Sequence, residues 1–413
     1  MTFRNPRANS LLFAAFLLAC GNDGGSSPVA PQGGSSTSGG SPSAAGTASA
    51  VGGSSTSGSS SGGQATGGEL TGGSSGGPAG GSGGSGGVPS SSGIPDGATV
   101  VLFLIDGLQN PTLDTGIASG ATNLKFLVDN GVRVETSYST SPAARLQLPD
   151  NSQPWGNATS GNVAVHTGCH LNESNMMDDI FLAARAAGIA SVFSGGDPNY
   201  AIFTTPDFHY ADDTSDAVTV EQAIDHIEND DARLVRIHLQ RIRDFWTGPA
   251  NQTTPSSDYV QHLLEIDALL GNLRAALQQK GAWEKTYVVL TADHGMGASA
   301  NSDHNPNEPS SWETAMVFYG PGIKQGATIP YAELPDVAVL TNHLLKLPAL
   351  QGHTDASIIP KGPTGTLLTN IFEGDAGELT HPRYIEAYLD TDTYIDGGTG
   401  YSDYRLGMLE LLE

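Results

Sequence analysis

Apolar positions along this chain follow two rhythms. Runs such as Val101-Leu-Phe-Leu-Ile105 and Tyr287-Val-Val-Leu290 have no polar face, as a strand buried on both sides of a parallel sheet requires. Between these runs apolar residues recur at helical spacing. Asn123 to Gly131 sets Leu124, Leu127 and Val128 on one face and stops at Asn-Gly, and Met177 to Gly188 repeats the form. Asp216 to Asn229 turns Val220, Ile224 and Ile227 inward, and Tyr259 to Lys280, closed by Gly281, predicts the longest amphipathic helix. Further strands are expected at Ile189–Phe193, Leu234–Leu239 and Met316–Tyr319, the last running into Gly320-Pro-Gly322. Strand alternating with helix predicts an α/β fold: a central, mostly parallel sheet with helices on both faces.

The first residues change the picture of the N-terminus. Arg4 and Arg7 precede an apolar stretch from Leu11 to Ala19, which ends at Cys20. That order reads as an export signal, and the run is shorter than the ~20 residues a membrane span needs. Leu17-Leu-Ala-Cys20-Gly resembles the lipobox of bacterial lipoproteins, which implies a lipid on Cys20 and a periplasmic or cell-surface protein. Residues 1–20 are thus expected to be a lipoprotein signal. Residues 21–97 are dominated by Gly, Ser, Thr, Ala and Pro, with too little apolar surface to fold. As a flexible tether they would hold a domain roughly 50 Å from its anchor. Residues 98–413 are expected to form one α/β domain.

Charge and cysteine usage narrow the partners. A formal net charge of -25 argues against nucleic acid, whose phosphates demand basic patches. Only Cys20 and Cys169 are present, so no disulfide framework exists and Cys169 reads as a small buried residue.

The candidate chemistry lies at strand ends. The first run ends in Asp106-Gly107, and the later one in Thr291-Ala-Asp293-His294-Gly295. Open α/β sheets bind ligands beyond the carboxyl ends of their strands, so Asp106, Asp293 and His294 are expected to converge. Two carboxylates and an imidazole suit a divalent cation, Zn or Mn above all, with an open position for a reacting oxygen.

In order and spacing, Leu104-Ile-Asp106-Gly107, Thr167-Gly168, Thr291-Ala-Asp293-His294-Gly295 and Gly320-Pro-Gly322 resemble the alkaline phosphatase superfamily, and its type I phosphodiesterase/nucleotide pyrophosphatase branch in particular. The resemblance covers roughly Thr99 to Leu347. It implies an alkaline-phosphatase-like fold, with one cation held by Asp106, Asp293 and His294 beside a Ser or Thr nucleophile. Counting back from Thr167 without gaps sets Ala158 at the nucleophile, whereas a one-residue shift sets Thr159 there and makes Asn162 a donor to a phosphoryl oxygen. Ser160 is a reserve candidate. At the family's second metal site this chain carries Arg243 and Thr247 in place of ligands, so one cation is expected and a second is doubtful. His304 could supply a further ligand, and Arg243 a fixed positive charge for the phosphoryl group. His238, inside its strand, reads as structural.

Sulfatases oxidise a cysteine or serine in Cys/Ser-x-Pro-x-Arg, and Thr140-Ser-Pro-Ala-Ala-Arg145, aligned on its proline, lacks both the residue and the spacing. Beyond Gly362 the acidic, Tyr-bearing tail reads as a surface extension, since its aspartates do not have EF-hand spacing. Together these features imply a lipid-anchored, metal-dependent phosphoric ester hydrolase or phosphotransferase. Its substrate would be a small-molecule, lipid or polymer phosphoester, and its one membrane contact the lipid on Cys20. The alternative is a catalytically impaired relative that keeps the fold and one cation as a binding lipoprotein.

Overall fold

The computed structural model describes residues 93–139, 157–169, 178–195, 206–211, 215–297, 309–351, 363–375, 378–383 and 385, with the backbone alone for 157–160 and 309. The expected signal segment, nearly all of the tether, the stretch around Arg145, His304 and the aspartates near residue 390 lie outside these residues.

Strand and helix alternate as the pattern predicts. The chain begins with β1 (Thr99–Ile105), α1 (Asn110–Ala118), α2 (Thr122–Asp129), β2 (Val132–Tyr138), α3 (Asn157–Thr167) and α4 (Ile180–Ala186). It continues through β3 (Ser191–Gly195), β4 (Phe208–Ala211), α5 (Asp216–Asn229), β5 (Leu234–Leu239), α6 (Pro249–Gln252) and α7 (Asp258–Gln279). Then come β6 (Thr286–Thr291), β7 (Glu313–Thr314), β8 (Val317–Tyr319), β9 (Ala327–Glu333) and α8 (Asp336–Leu344). Side-chain caps set the starts of α4, α5 and α7. Asp179 accepts from Phe181 N at 2.7 Å to open α4, and Ser257 accepts from Val260 N at 3.2 Å to open α7.

All nine strands join one sheet in the order β4-β3-β5-β1-β6-β8-β2-β7, with β9 also paired to β2. The half from β4 to β6 is parallel, whereas β8 runs antiparallel to both β6 and β2. Side chains alternate across this sheet. Leu102 and Leu104 of β1 pack with Ala164 of α3, Phe181 of α4 and Val337 of α8. Val101, Phe103 and Ile105 pack on the other face with Leu124 of α2, Val220 of α5 and Leu263 of α7. Cys169 is buried, as expected.

The folded part differs from expectation at both ends. Ile94 packs into the core, and Asp96 accepts from Lys346 at 2.7 Å, so order begins within the stretch read as tether. The segment after Gly362 is not only a surface extension. Leu368 and Ile371 are core residues, and His381 bonds buried Asp336 at 2.6 Å.

Candidate metal centre

Strand register alone brings the site together. Leu104 of β1 faces His238 of β5 on one side and Thr291 of β6 on the other. Asp106 and Asp293 each lie two residues further along, so both carboxylates leave neighbouring strands on the same face, beyond the sheet edge. Parallel partners share a face, so His238 points the same way. That face is the one α3 covers.

Two glycines allow the close approach. Gly161 of α3 sits so near the loop after β6 that a Cβ there would lie 1.7 Å from the Asp293 carbonyl oxygen. Behind the loop, a Cβ on Gly295 would lie 2.2 Å from the Ser310 carbonyl oxygen. Neither contact leaves room for a side chain.

Asp106, His238, Asp293 and His294 are fully buried. A carboxylate oxygen from each aspartate and a ring nitrogen of His238 lie within 4.8 Å of one another. His238 Nε2 stands 3.6 Å from Asp293 Oδ2, and His294 Nε2 stands 3.4 Å from Asp106 Oδ1 and 3.8 Å from Asp293 Oδ2. Ligand atoms about 2.1 Å from a tetrahedral zinc are roughly 3.4 Å apart, so these spacings fit a cation with slight opening. The Nδ1 of His294 lies 2.7 Å from the Gly295 carbonyl oxygen. A carbonyl only accepts, so Nδ1 carries a hydrogen and Nε2 is the nitrogen left to a cation.

Electrostatics argue for a cation as well. Neither oxygen of Asp106 has a hydrogen-bond partner among the described residues. Burial, reinforced by the charge of Asp293, pushes the Asp106 carboxyl up to about 6. Burial works against a proton on His294, but Asp293, Asp106 and the Gly295 carbonyl together raise its pKa above the ordinary value. A divalent ion held there would offset the penalty that burial sets on the charged form of Asp106.

The expected ligands Asp106, Asp293 and His294 are therefore brought together, and His238 joins them although it reads as structural in the sequence. Its signal was the alternation of β5, where Leu234, Arg236 and His238 share the α3 face. Arg243, half-buried in the 3₁₀ turn after β5, is close enough that its charge lowers the pKa of both Asp106 and His294. Thr159 lies in the first turn of α3, three places before Asn162, and its side chain is not described. Asn162, expected to meet a phosphoryl oxygen, here donates from Nδ2 to Asp293 Oδ2 at 3.0 Å and accepts from Arg236 at Oδ1. Behind it, burial and then the charges of Arg236 and His238 hold His166 well below the usual histidine range.

The family pattern described as sulfatase matches residues 98–347, more than half of the chain. The chain belongs to the sulfatase family. That family lies within the alkaline phosphatase superfamily, which the motifs resembled. Arylsulfatase K of Danio rerio is 29% identical over 114 residues, covering 25% of this chain and 20% of that protein. Its Gallus gallus counterpart is 32% identical over 106 residues, with 25% and 20% covered. The chain thus spans about a fifth of the length of these curated relatives. Among solved structures, murine ectonucleotide pyrophosphatase/phosphodiesterase 5 aligns with TM-score 0.47 and 14% identity, covering 60% of this chain and 95% of that one. The phosphonate monoester hydrolase of Agrobacterium radiobacter aligns with TM-score 0.48 and 16% identity, covering 68% and 78%.

Proposed function

We propose that this chain is a metal-dependent phosphoric ester hydrolase or phosphotransferase whose single cation is held by Asp106, Asp293, His294 and His238. One observation carries the reading: two carboxylates and two imidazoles, all buried, converge beyond adjacent parallel strands. A divalent ion bound there supplies positive charge that lowers the pKa of a hydroxyl and neutralises phosphoryl oxygens. The residues of the chain do the rest. The Nδ1 hydrogen of His294 goes to the Gly295 carbonyl, so Nε2 is the ring nitrogen turned toward the carboxylates and offered to the cation. Thr159, in the first turn of α3 between Ala158 and Ser160, would attack phosphorus as its hydroxyl loses its proton and the bond from phosphorus to the leaving alcohol oxygen breaks; water, or an acceptor alcohol, then takes the phosphoryl group and frees Thr159. Arg243 supplies a fixed guanidinium for the phosphoryl oxygens at the position where related enzymes carry a second metal ligand. The apolar stretch before Cys20 supports export and a lipid anchor, so the substrate is a phosphoester met outside the cytoplasm.

Family membership favours a second reading, sulfate ester hydrolysis, because a sulfuryl oxygen needs the same cation. Ser141 stands four places before Arg145, but the proline follows it directly instead of one residue later, and this departure from Cys/Ser-x-Pro-x-Arg speaks against it.

The test is an assay of the full chain with Zn²⁺ or Mn²⁺ on chromogenic phosphate monoesters, phosphate diesters and sulfate esters, beside Asp293→Ala and Thr159→Ala. Metal-dependent phosphoester turnover, lost in both variants, is the expected result. Turnover confined to the sulfate ester would establish the second reading. Background rates on every substrate with cation still bound would leave a binding protein.

A further inference from the structure

We propose that Arg236 is a positioning residue for the cation site, acting through the Asn162 amide on Asp293; the inference rests on the cation reading above. Arg236 lies on β5, fully buried, one alternation before His238 and on the same α3 face. Its guanidinium stacks over the Phe193 ring at 4.1 Å and donates to Asn162 Oδ1. Asn162 is buried and donates through Nδ2 to Asp293 Oδ2 at 3.0 Å.

The chemistry of these groups permits one orientation. A guanidinium has donors only, and an ionised carboxylate has acceptors only. An amide between them must turn its oxygen to Arg236 and its NH₂ to Asp293. Without Arg236 the buried amide oxygen loses this charged donor, and the bias toward that orientation weakens. A flipped amide would set an oxygen against the Asp293 carboxylate.

The consequence for the site is geometric. Asp293 Oδ2, the oxygen that Asn162 holds, is also the one that faces His238 Nε2 and His294 Nε2. Fixing it sets the angle at which Asp293 presents itself to a cation and to both imidazoles. Ligating carboxylates are oriented by such outer partners, whose loss costs about 10–100-fold in metal affinity. Arg236 also sets a permanent positive charge behind the amide that holds Asp293.

The test uses the full chain, with Zn²⁺ affinity measured by chelator competition for wild type, Arg236→Met, Arg236→Lys, Asn162→Leu and the double variant Arg236→Met/Asn162→Leu. Arg236→Met and Asn162→Leu should each weaken zinc binding by about 10–100-fold, and the double variant should be no weaker than the poorer single, because both interrupt one relay. Arg236→Lys, which keeps a donor, should recover most of the loss. A second readout needs no metal: with ¹⁵N-Asn labelling, the Asn162 side-chain amide protons should exchange slowly in wild type and at least about tenfold faster in Arg236→Met. Wild-type zinc affinity in Arg236→Met, or losses that multiply in the double variant, would overturn the proposal. If wild type holds no zinc, the cation reading fails by itself, and unchanged Asn162 exchange in Arg236→Met would then overturn the relay independently.

Discussion

His238 Nε2 lies 3.6 Å from Asp293 Oδ2, although the two residues come from strands that do not pair with each other. β1 runs between their strands, and Asp106 at its end completes the group. The site is thus a product of parallel register across three strands, with α3 as its lid.

Buried Asp106 destabilises the metal-free fold, and the sign of that effect can be followed with pH. The folded-state pKa of Asp106 is raised from 3.8 to about 6. Between those values the folded chain binds the proton more tightly than the unfolded chain, so its stability falls as pH rises. Asp106→Asn removes the charge. In chemical denaturation without metal, the variant should gain on wild type from pH 4 to 6 and hold a lead of up to about 3 kcal/mol at pH 7, while losing cation affinity. A lead that does not change with pH would contradict this.

Gly161→Ala tests the contact between α3 and the loop after β6. Its Cβ would meet the Asp293 carbonyl oxygen at 1.7 Å, which helix and loop can relieve only by separating. A loss of about 3 kcal/mol in stability is expected, with a fall in cation affinity that Ala164, one turn further along α3, would not produce when changed to Gly. Calorimetry with and without Zn²⁺ reads both.

How much of this was legible in the sequence depends on the kind of signal. Periodicity located α2, α5, β5 and α7 closely, because each buries a continuous apolar face. The same method passed over β2, Val132-Arg-Val-Glu-Thr-Ser-Tyr138, whose polar residues reflect a strand paired with β7, β8 and β9 rather than one buried in the parallel half. At the site, Asp106, Asp293 and His294 stood out because an acid at the end of an apolar run has a known meaning. Arg236 and His238 did not, since a charged residue inside a strand is read as an interruption until the neighbouring strands reveal that its face is lined with carboxylates. The Asn162 partners were beyond reach for the same reason: Arg236 is 74 positions away along the chain.

The tail after Gly362 should prove part of the domain. His381 Nε2 bonds Asp336 Oδ2 at 2.6 Å, and Asp336 also accepts from Glu333 N and Thr366 N at 2.7 Å each. Burial lowers the His381 pKa, but the bond to Asp336 outweighs it and the net shift is upward. His381→Ala should cost about 1–3 kcal/mol below pH 6.5, and the cost should shrink as pH rises through the elevated pKa and His381 loses its charge. Thermal melts across that range, with zinc affinity unchanged, check it.

Arg243 separates catalysis from folding. It is half-buried in a short turn, yet its charge reaches Asp106 and His294. Arg243→Ala should reduce phosphoester turnover by at least about tenfold, the effect expected of one lost charge-assisted contact, and shift the melting temperature by no more than a surface substitution does. Turnover unchanged, or lost only in step with stability, would remove Arg243 from the substrate site.

The most direct measurement is an anomalous difference map at the zinc edge from crystals of the full chain grown with Zn²⁺. The account predicts one strong peak bounded by Asp106, Asp293, His294 and His238, with ligand distances of about 2.0–2.2 Å. No peak among these four residues, or zinc bound elsewhere while they remain as they are, would contradict it.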